Sequence, residues 1–121
     1  MEGKSQFHEK LRNLMDEYVN KVYDFTKDFP KEEIFGLTSQ LRRSALSVIL
    51  NYIEGYARQQ KNVLRNFLEI SYGSLKESKY LVYFSHRRSY LTMKRYEELM
   101  DLADKIGAML WGIISKIKNK P

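Results

Sequence analysis

The residues of this chain that could do chemistry are mostly cations, and they come in groups. Arg42–Arg43 and Arg87–Arg88 are adjacent guanidinium pairs, Arg58, Lys61 and Arg65 cluster within eight residues, and Lys94–Arg95 follow the second pair. Grouped cations of this kind contact phosphates. Solvated helix ends, with favourable contacts to helix C-terminal dipoles, are an equally available reading of the same charges. The residue types of catalysis are sparse. His8 and His86 lie in different elements, and neither has a carboxylate at metal-ligand spacing on its own helix face. There is no Glu-x-x-His motif for a di-iron bundle, no Gly-rich phosphate loop and no Gly-x-Ser-x-Gly. The absence of cysteine excludes disulfides, thiolate metal sites and cysteine nucleophiles. Glu54, Glu69 and Glu77 are the acids between residues 37 and 90, and pairing with arginine suits them better than acid–base work. The expectation is a non-enzymatic protein with no cofactor and no metal.

A second constellation is a polar line: Arg43, Ser47, Asn51, Glu54 and Arg58, spaced 4, 4, 3 and 4 and therefore on one helix face. Arg43, Ser47 and Asn51 can form a hydrogen-bonded ladder, and Glu54 with Arg58 is an i,i+4 pair in the favourable orientation. The line reads either as the wet face of an amphipathic helix or, with Glu77, as a polar network at a subunit contact. In the second case it would fix register at some cost in stability.

Four helices must position these residues. Apolar residues at steps of three and four predict helices over about 5–27, 38–60, 63–87 and 93–118. Ser5, Thr38 or Ser39, Asn62 and Thr92 are the expected N-caps. Pro30 and Gly36 break the pattern after the first helix, and Phe29, Ile34 and Phe35 are expected to pack over the bundle end. Helix two is apolar over most of its circumference (Leu41, Ala45, Leu46, Val48, Ile49, Leu50, Tyr52, Ile53, Tyr56, Ala57), which predicts burial on several sides or contact with another subunit. Helix three carries core candidates Val63, Phe67, Ile70, Leu75, Leu81, Val82 and Phe84, and its interior Gly73 predicts close approach by another helix. In helix four the acids lie towards the start, and Lys116, Lys118 and Lys120 at the end complement the helix dipole.

At the scale of the chain, 121 residues predict one domain, 1–121, with enough length for a real core. The fold class is all-α, an antiparallel up-down-up-down four-helix bundle. No run approaches the ~18 apolar residues of a membrane span, and the charged N-terminus is unlike a signal region. The expected location is therefore the cytoplasm. The net charge is +6, and residues 37–90 hold nine Lys and Arg against three acids. In an up-down bundle Arg42, Arg43, Arg87 and Arg88 share one end, with Tyr90 placed to stack on a base.

The central residues also carry a pattern: Leu37-Thr38-Ser39-Gln40-Leu41-Arg42-Arg43-Ser44, then Ser47, Asn51, Ile53, Glu54, Gly55 and Arg58, then Phe67-Leu68, Gly73-Ser74-Leu75 and Glu77. It resembles the bacterial four-helix-bundle family of 23S rRNA intervening sequence proteins over about residues 10–118. The resemblance implies a ring-like homopentamer, in a family whose molecular role is not established. More distantly it is similar to the accessory variability protein of diversity-generating retroelements, a basic pentameric bundle that binds a reverse transcriptase and nucleic acid. One departure is Val48-Ile49-Leu50, where many members have Ile-Pro after the serine; a straighter helix is expected here. Charge and resemblance together predict a basic homo-oligomer that binds nucleic acid, specifically structured RNA, through phosphate contacts from Arg42, Arg43, Arg58, Lys61, Arg65, Arg87, Arg88, Lys94 and Arg95. The alternative is a protein-interaction adaptor for a polymerase such as a reverse transcriptase.

Overall fold

The apolar periodicity of the chain is satisfied by four helices arranged in a ring. The computed structural model describes residues 2–118 and contains α1 (Glu2–Thr26), α2 (Leu37–Tyr56), α3 (Lys61–Arg87) and α4 (Met93–Lys118), with one 3-10 turn at Lys31–Glu33. Among the described residues there is no strand. Lys120 lies outside them.

Cross-contacts give the topology. Tyr23 and Thr26 meet Arg42, and His8 meets Tyr52 and Tyr56, so α1 and α2 run antiparallel. Ser47 meets Ser74 and Ser71 meets Val48, so α2 and α3 do too. Tyr72 with Trp111 and His86 with Tyr96 set α3 against α4 in the same way. Lys21 with Glu98 and Arg95 with Asp28 close the ring. The up-down-up-down bundle follows. α2 passes unbroken through Val48–Leu50.

Helix bounds and caps differ in part from the expectation. α1 starts at Glu2, so Ser5 is interior. α2 starts at Leu37, with Gly36 as its N-cap and the Leu37 amide directed at Glu33 Oε1 (3.4 Å); Thr38 and Ser39 are inside the first turn. α2 ends at Tyr56, four residues early, and α3 begins at Lys61 rather than after Asn62. Thr92 caps α4, its hydroxyl accepting from the Arg95 amide at 3.2 Å. Of the three apolar residues in the first break, Phe29 is buried over the bundle end, but Ile34 is half exposed and Phe35 is 95% exposed.

The core is built from Leu11, Met15, Tyr18 and Val22 of α1, Leu41, Ala45, Val48 and Tyr52 of α2, and Leu99, Ala103, Ile106, Leu110 and Ile114 of α4. α3 contributes a strict seven-residue alternation: Leu68, Ser71, Leu75, Ser78, Val82 and Ser85 are all buried. The serines fit because their hydroxyls are satisfied. Ser71 donates to the Val48 carbonyl (2.6 Å), Ser78 to Leu75 (2.9 Å) and Ser85 to Leu81 (2.7 Å). Tyr18 donates across the core to Ser78 (2.9 Å).

Small inward residues let α3 sit close to its neighbours and turn larger ones outward. Ile70 and Phe84, expected in the core, are exposed. Gly73 is not a point of close approach: a Cβ there would meet nothing within 4 Å. The close approach is at Gly55, where a Cβ would lie 3.0 Å from Phe67 Cβ and 3.2 Å from Leu64 Cδ1. α2 is likewise one-sided, with Leu46, Leu50, Ile53 and Tyr56 exposed.

Candidate nucleic-acid interface

The nine cations separate into two ends and two states of engagement. Arg42, Arg43, Arg87, Arg88, Lys94 and Arg95 lie towards the end where α1 and α3 finish. Arg58, Lys61 and Arg65 lie at the other end, roughly 40 Å away along a 27-residue helix. They do not make one surface.

Five of the nine have partners, on their own helix or across the bundle. Arg42 serves the C-terminus of α1, where carbonyls lack intrahelical donors. Its Nε donates to Thr26 Oγ1 (2.8 Å), its Nη2 to the Tyr23 carbonyl (3.2 Å), and its guanidinium lies 4.7 Å from the Tyr23 ring centroid. Arg95 pairs with Asp28 at 2.7 Å and sits over Phe25. Arg58 pairs with Glu54 and sits over Phe67, and Arg65 pairs with Glu69 at 3.9 Å. Arg87 donates to the Tyr83 hydroxyl (3.2 Å) and overlies its ring; that bond raises the guanidinium pKa. Arg42 and Arg95 thereby tie the end of α1 to α2 and α4.

Arg43, Lys61, Arg88 and Lys94 are exposed and have no partner among the described residues. Arg88 and Lys94 flank the five-residue connection between α3 and α4, and the turn explains their exposure. α3 ends in a Schellman motif: the Ser89 amide donates to the His86 carbonyl and the Tyr90 amide to the Ser85 carbonyl, both at 2.9 Å. Ser89 takes the left-handed conformation this requires, φ 64°. The chain reverses within a few residues, and Arg87, Arg88 and Lys94, at or next to the connection, are all exposed.

Tyr90 is not available to stack on a base. Its hydroxyl donates to Glu33 Oε2 (3.1 Å) and its ring packs on Phe29. The aromatics that sequence reasoning missed are Tyr80, Tyr83 and Phe84, all exposed on α3 below Arg87. Tyr80 lies 6.4 Å from Phe84 and 6.2 Å from Tyr83. Their signal is an aromatic run at steps of three and one leading into an arginine pair, which also suits a core face.

The polar line forms in part. Asn51 Nδ2 donates to the Ser47 carbonyl (2.9 Å) and hydroxyl (2.8 Å), and Ser47 bonds to Ser74 at 2.8 Å across α2 and α3. Glu54 and Arg58 pair as expected. Arg43 does not join the ladder, and Glu77 is exposed without a partner among the described residues. Leu46, Leu50 and Ile53 of α2 and Ile70 of α3, on the two helices this half-buried seam joins, are exposed.

The histidines are packing residues. His8 bonds to the Tyr52 hydroxyl and lies against Tyr56; burial, then the charges of Lys4 and Arg12, lowers its pKa. His86 stacks on Tyr96, centroids 4.2 Å apart. Among the described residues no group of three or more His, Cys, Asp or Glu could hold a metal ion, and no helix is long and apolar enough to cross a membrane.

Comparison with known proteins places this geometry. No curated protein matches the chain. A crystal structure of a protein of unknown function from the S23 ribosomal protein family of Bacteroides thetaiotaomicron shares the fold: TM-score 0.77 at 23% identity, covering 86% of this chain and 97% of that one. The family model for 23S rRNA-intervening sequence proteins matches residues 10–112, most of the described bundle. The chain therefore belongs to the 23S rRNA-intervening sequence protein family.

Proposed function

We propose that this protein is a non-enzymatic, basic homo-oligomer, pentameric and cytoplasmic, that binds structured RNA through phosphate contacts. The observation that carries the reading is the cluster at the α3–α4 turn. Arg87, Arg88 and Lys94 are exposed there, none is paired with a carboxylate among the described residues, and an aromatic ridge adjoins them. Cations left free of carboxylates can release counterions from a polyanion. Lys61 extends the reading to the opposite end, and Arg43 to the outer face of α2. Arg58, Arg65 and Arg95 are weaker members of the contact set because each is paired with a carboxylate, whereas the partners of Arg42 are neutral and leave its charge uncompensated.

Self-association draws on the outer α2–α3 face. Leu46, Leu50 and Ile53 of α2 and Ile70 of α3 are exposed on two helices joined by a hydrogen-bonded polar seam, an arrangement that a second copy would bury and that the seam would register. Five copies of a +6 chain would carry about +30, a far stronger attractor for RNA than one. The adaptor reading draws on a different feature, the apolar tip formed by Ile34 and the 95% exposed Phe35. The test is replacement of both Arg87 and Arg88 by Ala. Affinity for a structured RNA should fall and the dependence of log K on log salt should flatten by about 0.7–0.9 per lost contact. Unchanged affinity and slope would remove the phosphate-contact reading, and co-purification of a polymerase surviving nuclease treatment would favour the adaptor.

A further inference from the structure

A groove of about 220 Å³ lies between α3 and α4, on a face that none of the nine cations occupies. Its floor and walls include Tyr72, Lys76 and Lys79 from α3 and Asp104, Gly107 and Trp111 from α4. The groove exists because α4 is small there, with Ala103, Gly107 and Ala108 along its wall: a Cβ at Gly107 would meet only Leu75 Cδ2, at 3.4 Å. Trp111, the sole tryptophan of the chain, is 49% exposed. Its ring centroid is 5.6 Å from that of Tyr72, with the planes tilted by 42°. Lys76 Nζ stands 5.2 Å from the Tyr72 centroid, and Lys79 Nζ is 2.5 Å from Asp104 Oδ1.

The chemistry of this groove fits one planar, polar-edged, anionic ligand. Its volume is below the roughly 300–1,000 Å³ of a drug-sized site. An apolar side chain of a protein partner would leave Lys76, which has no carboxylate partner among the described residues, without a matching group. A nucleobase matches every part. Its face stacks on indole and phenol, its donor and acceptor edge meets the Lys79–Asp104 pair, and its phosphate meets Lys76. Trp111 lies about 26 Å along α4 from Lys94, seventeen residues at 1.5 Å each.

We infer that this groove receives one unpaired base of a bound RNA, stacked on Trp111 and Tyr72 with its phosphate on Lys76, while duplex phosphates lie at the α3–α4 turn. The inference rests on the RNA-binding reading above and narrows its substrate class to a helix with an adjoining single strand.

Trp111 supplies the test, because its emission reports the groove directly. The probes are an RNA hairpin with a single-stranded tail of about eight nucleotides and the same hairpin with a blunt end. The tailed hairpin should quench or shift the tryptophan emission and bind more tightly; the blunt one should leave emission unchanged. Trp111→Leu should weaken the tailed hairpin by between about 5- and 150-fold, the range for one lost base stack, and leave the blunt one alone. Trp111→Tyr should restore most of the difference. Lys76→Glu, an exposed change that cannot empty the core, should weaken the tailed hairpin selectively as well. Tight binding of both hairpins with unchanged emission and no Trp111 effect would overturn the groove assignment and leave the RNA-binding reading standing. Failure of both hairpins to bind at low salt would overturn the RNA-binding reading itself.

Discussion

Tyr18 shows how much of the fold depends on a single hydroxyl. It is fully buried and donates to Ser78, and burial pushes its pKa up to about 12 from 10.0. The unfolded chain therefore loses this proton first, and stability falls as the pH rises from 10 towards 12. A shift of this size corresponds to about 2–3 kcal/mol. Tyr18→Phe should cost about 1 kcal/mol at pH 8 and flatten the alkaline limb in urea midpoints measured from pH 8 to 12; an unchanged limb would contradict the assignment. Two glycines make a paired prediction. Gly55→Ala forces its Cβ against Phe67 Cβ, which cannot move without α3, so it should destabilise by about 1–2 kcal/mol despite the better helix propensity. Gly73→Ala meets open space and should stabilise the single chain's fold by about 0.5–1 kcal/mol. Sequence reasoning assigned the close approach to Gly73 because an interior glycine signals missing bulk without saying which neighbour fills the space. Which arginines have intramolecular partners was equally hidden, since Arg42 and Arg95 find theirs, Thr26 at the end of α1 and Asp28 in the turn after it, far away in sequence.

The elements were legible wherever apolar spacing marks them. α4 matches its expected bounds, and the cap at Thr92 forms. α3 was legible in extent at its C-terminal end but not in orientation, because its buried face alternates Leu or Val with Ser. A hydrophobic pattern counts serine as polar and turns Ile70 and Phe84 inward in its place. What makes the serines core residues is a set of carbonyl acceptors at Val48, Leu75 and Leu81 that no spacing displays. The end of α2 was misplaced by four residues, since Ala57–Gln60 carries no proline or glycine to stop a helix. The α3 terminus offers a prediction of its own. Ser89 adopts φ 64° in a Schellman motif, a conformation that costs a non-glycine residue about 1 kcal/mol. Ser89→Gly should raise the urea midpoint by an amount equivalent to about 0.5–1 kcal/mol while leaving RNA binding unchanged. A lower midpoint would mean that the serine side chain has a role at the turn.

At the scale of the whole molecule, the bundle leaves one broad face and one basic turn unsatisfied. The face carries Leu46, Leu50 and Ile53 of α2 and Ile70 of α3, on helices joined by the Ser47–Ser74 seam. If copies of the chain cover it, Leu50→Glu with Ile53→Glu should reduce the mass in light scattering to that of a single chain, with helix content unchanged, since both residues are already half exposed. A mass unaffected by the double change would move the contact elsewhere. The breadth of apolar residues on α2 was legible in the sequence; their outward direction was not, because a helical wheel has no origin until a neighbour fixes it. The basic turn carries the central claim, that unpaired cations at the α3–α4 connection hold RNA phosphates. Fluorescence anisotropy of the purified protein with a structured rRNA fragment, from low to physiological salt, tests it most directly. The account predicts tight binding at low salt and a linear log–log fall whose slope counts the phosphates neutralised. An absence of binding at low salt, the most permissive condition for such contacts, would contradict it.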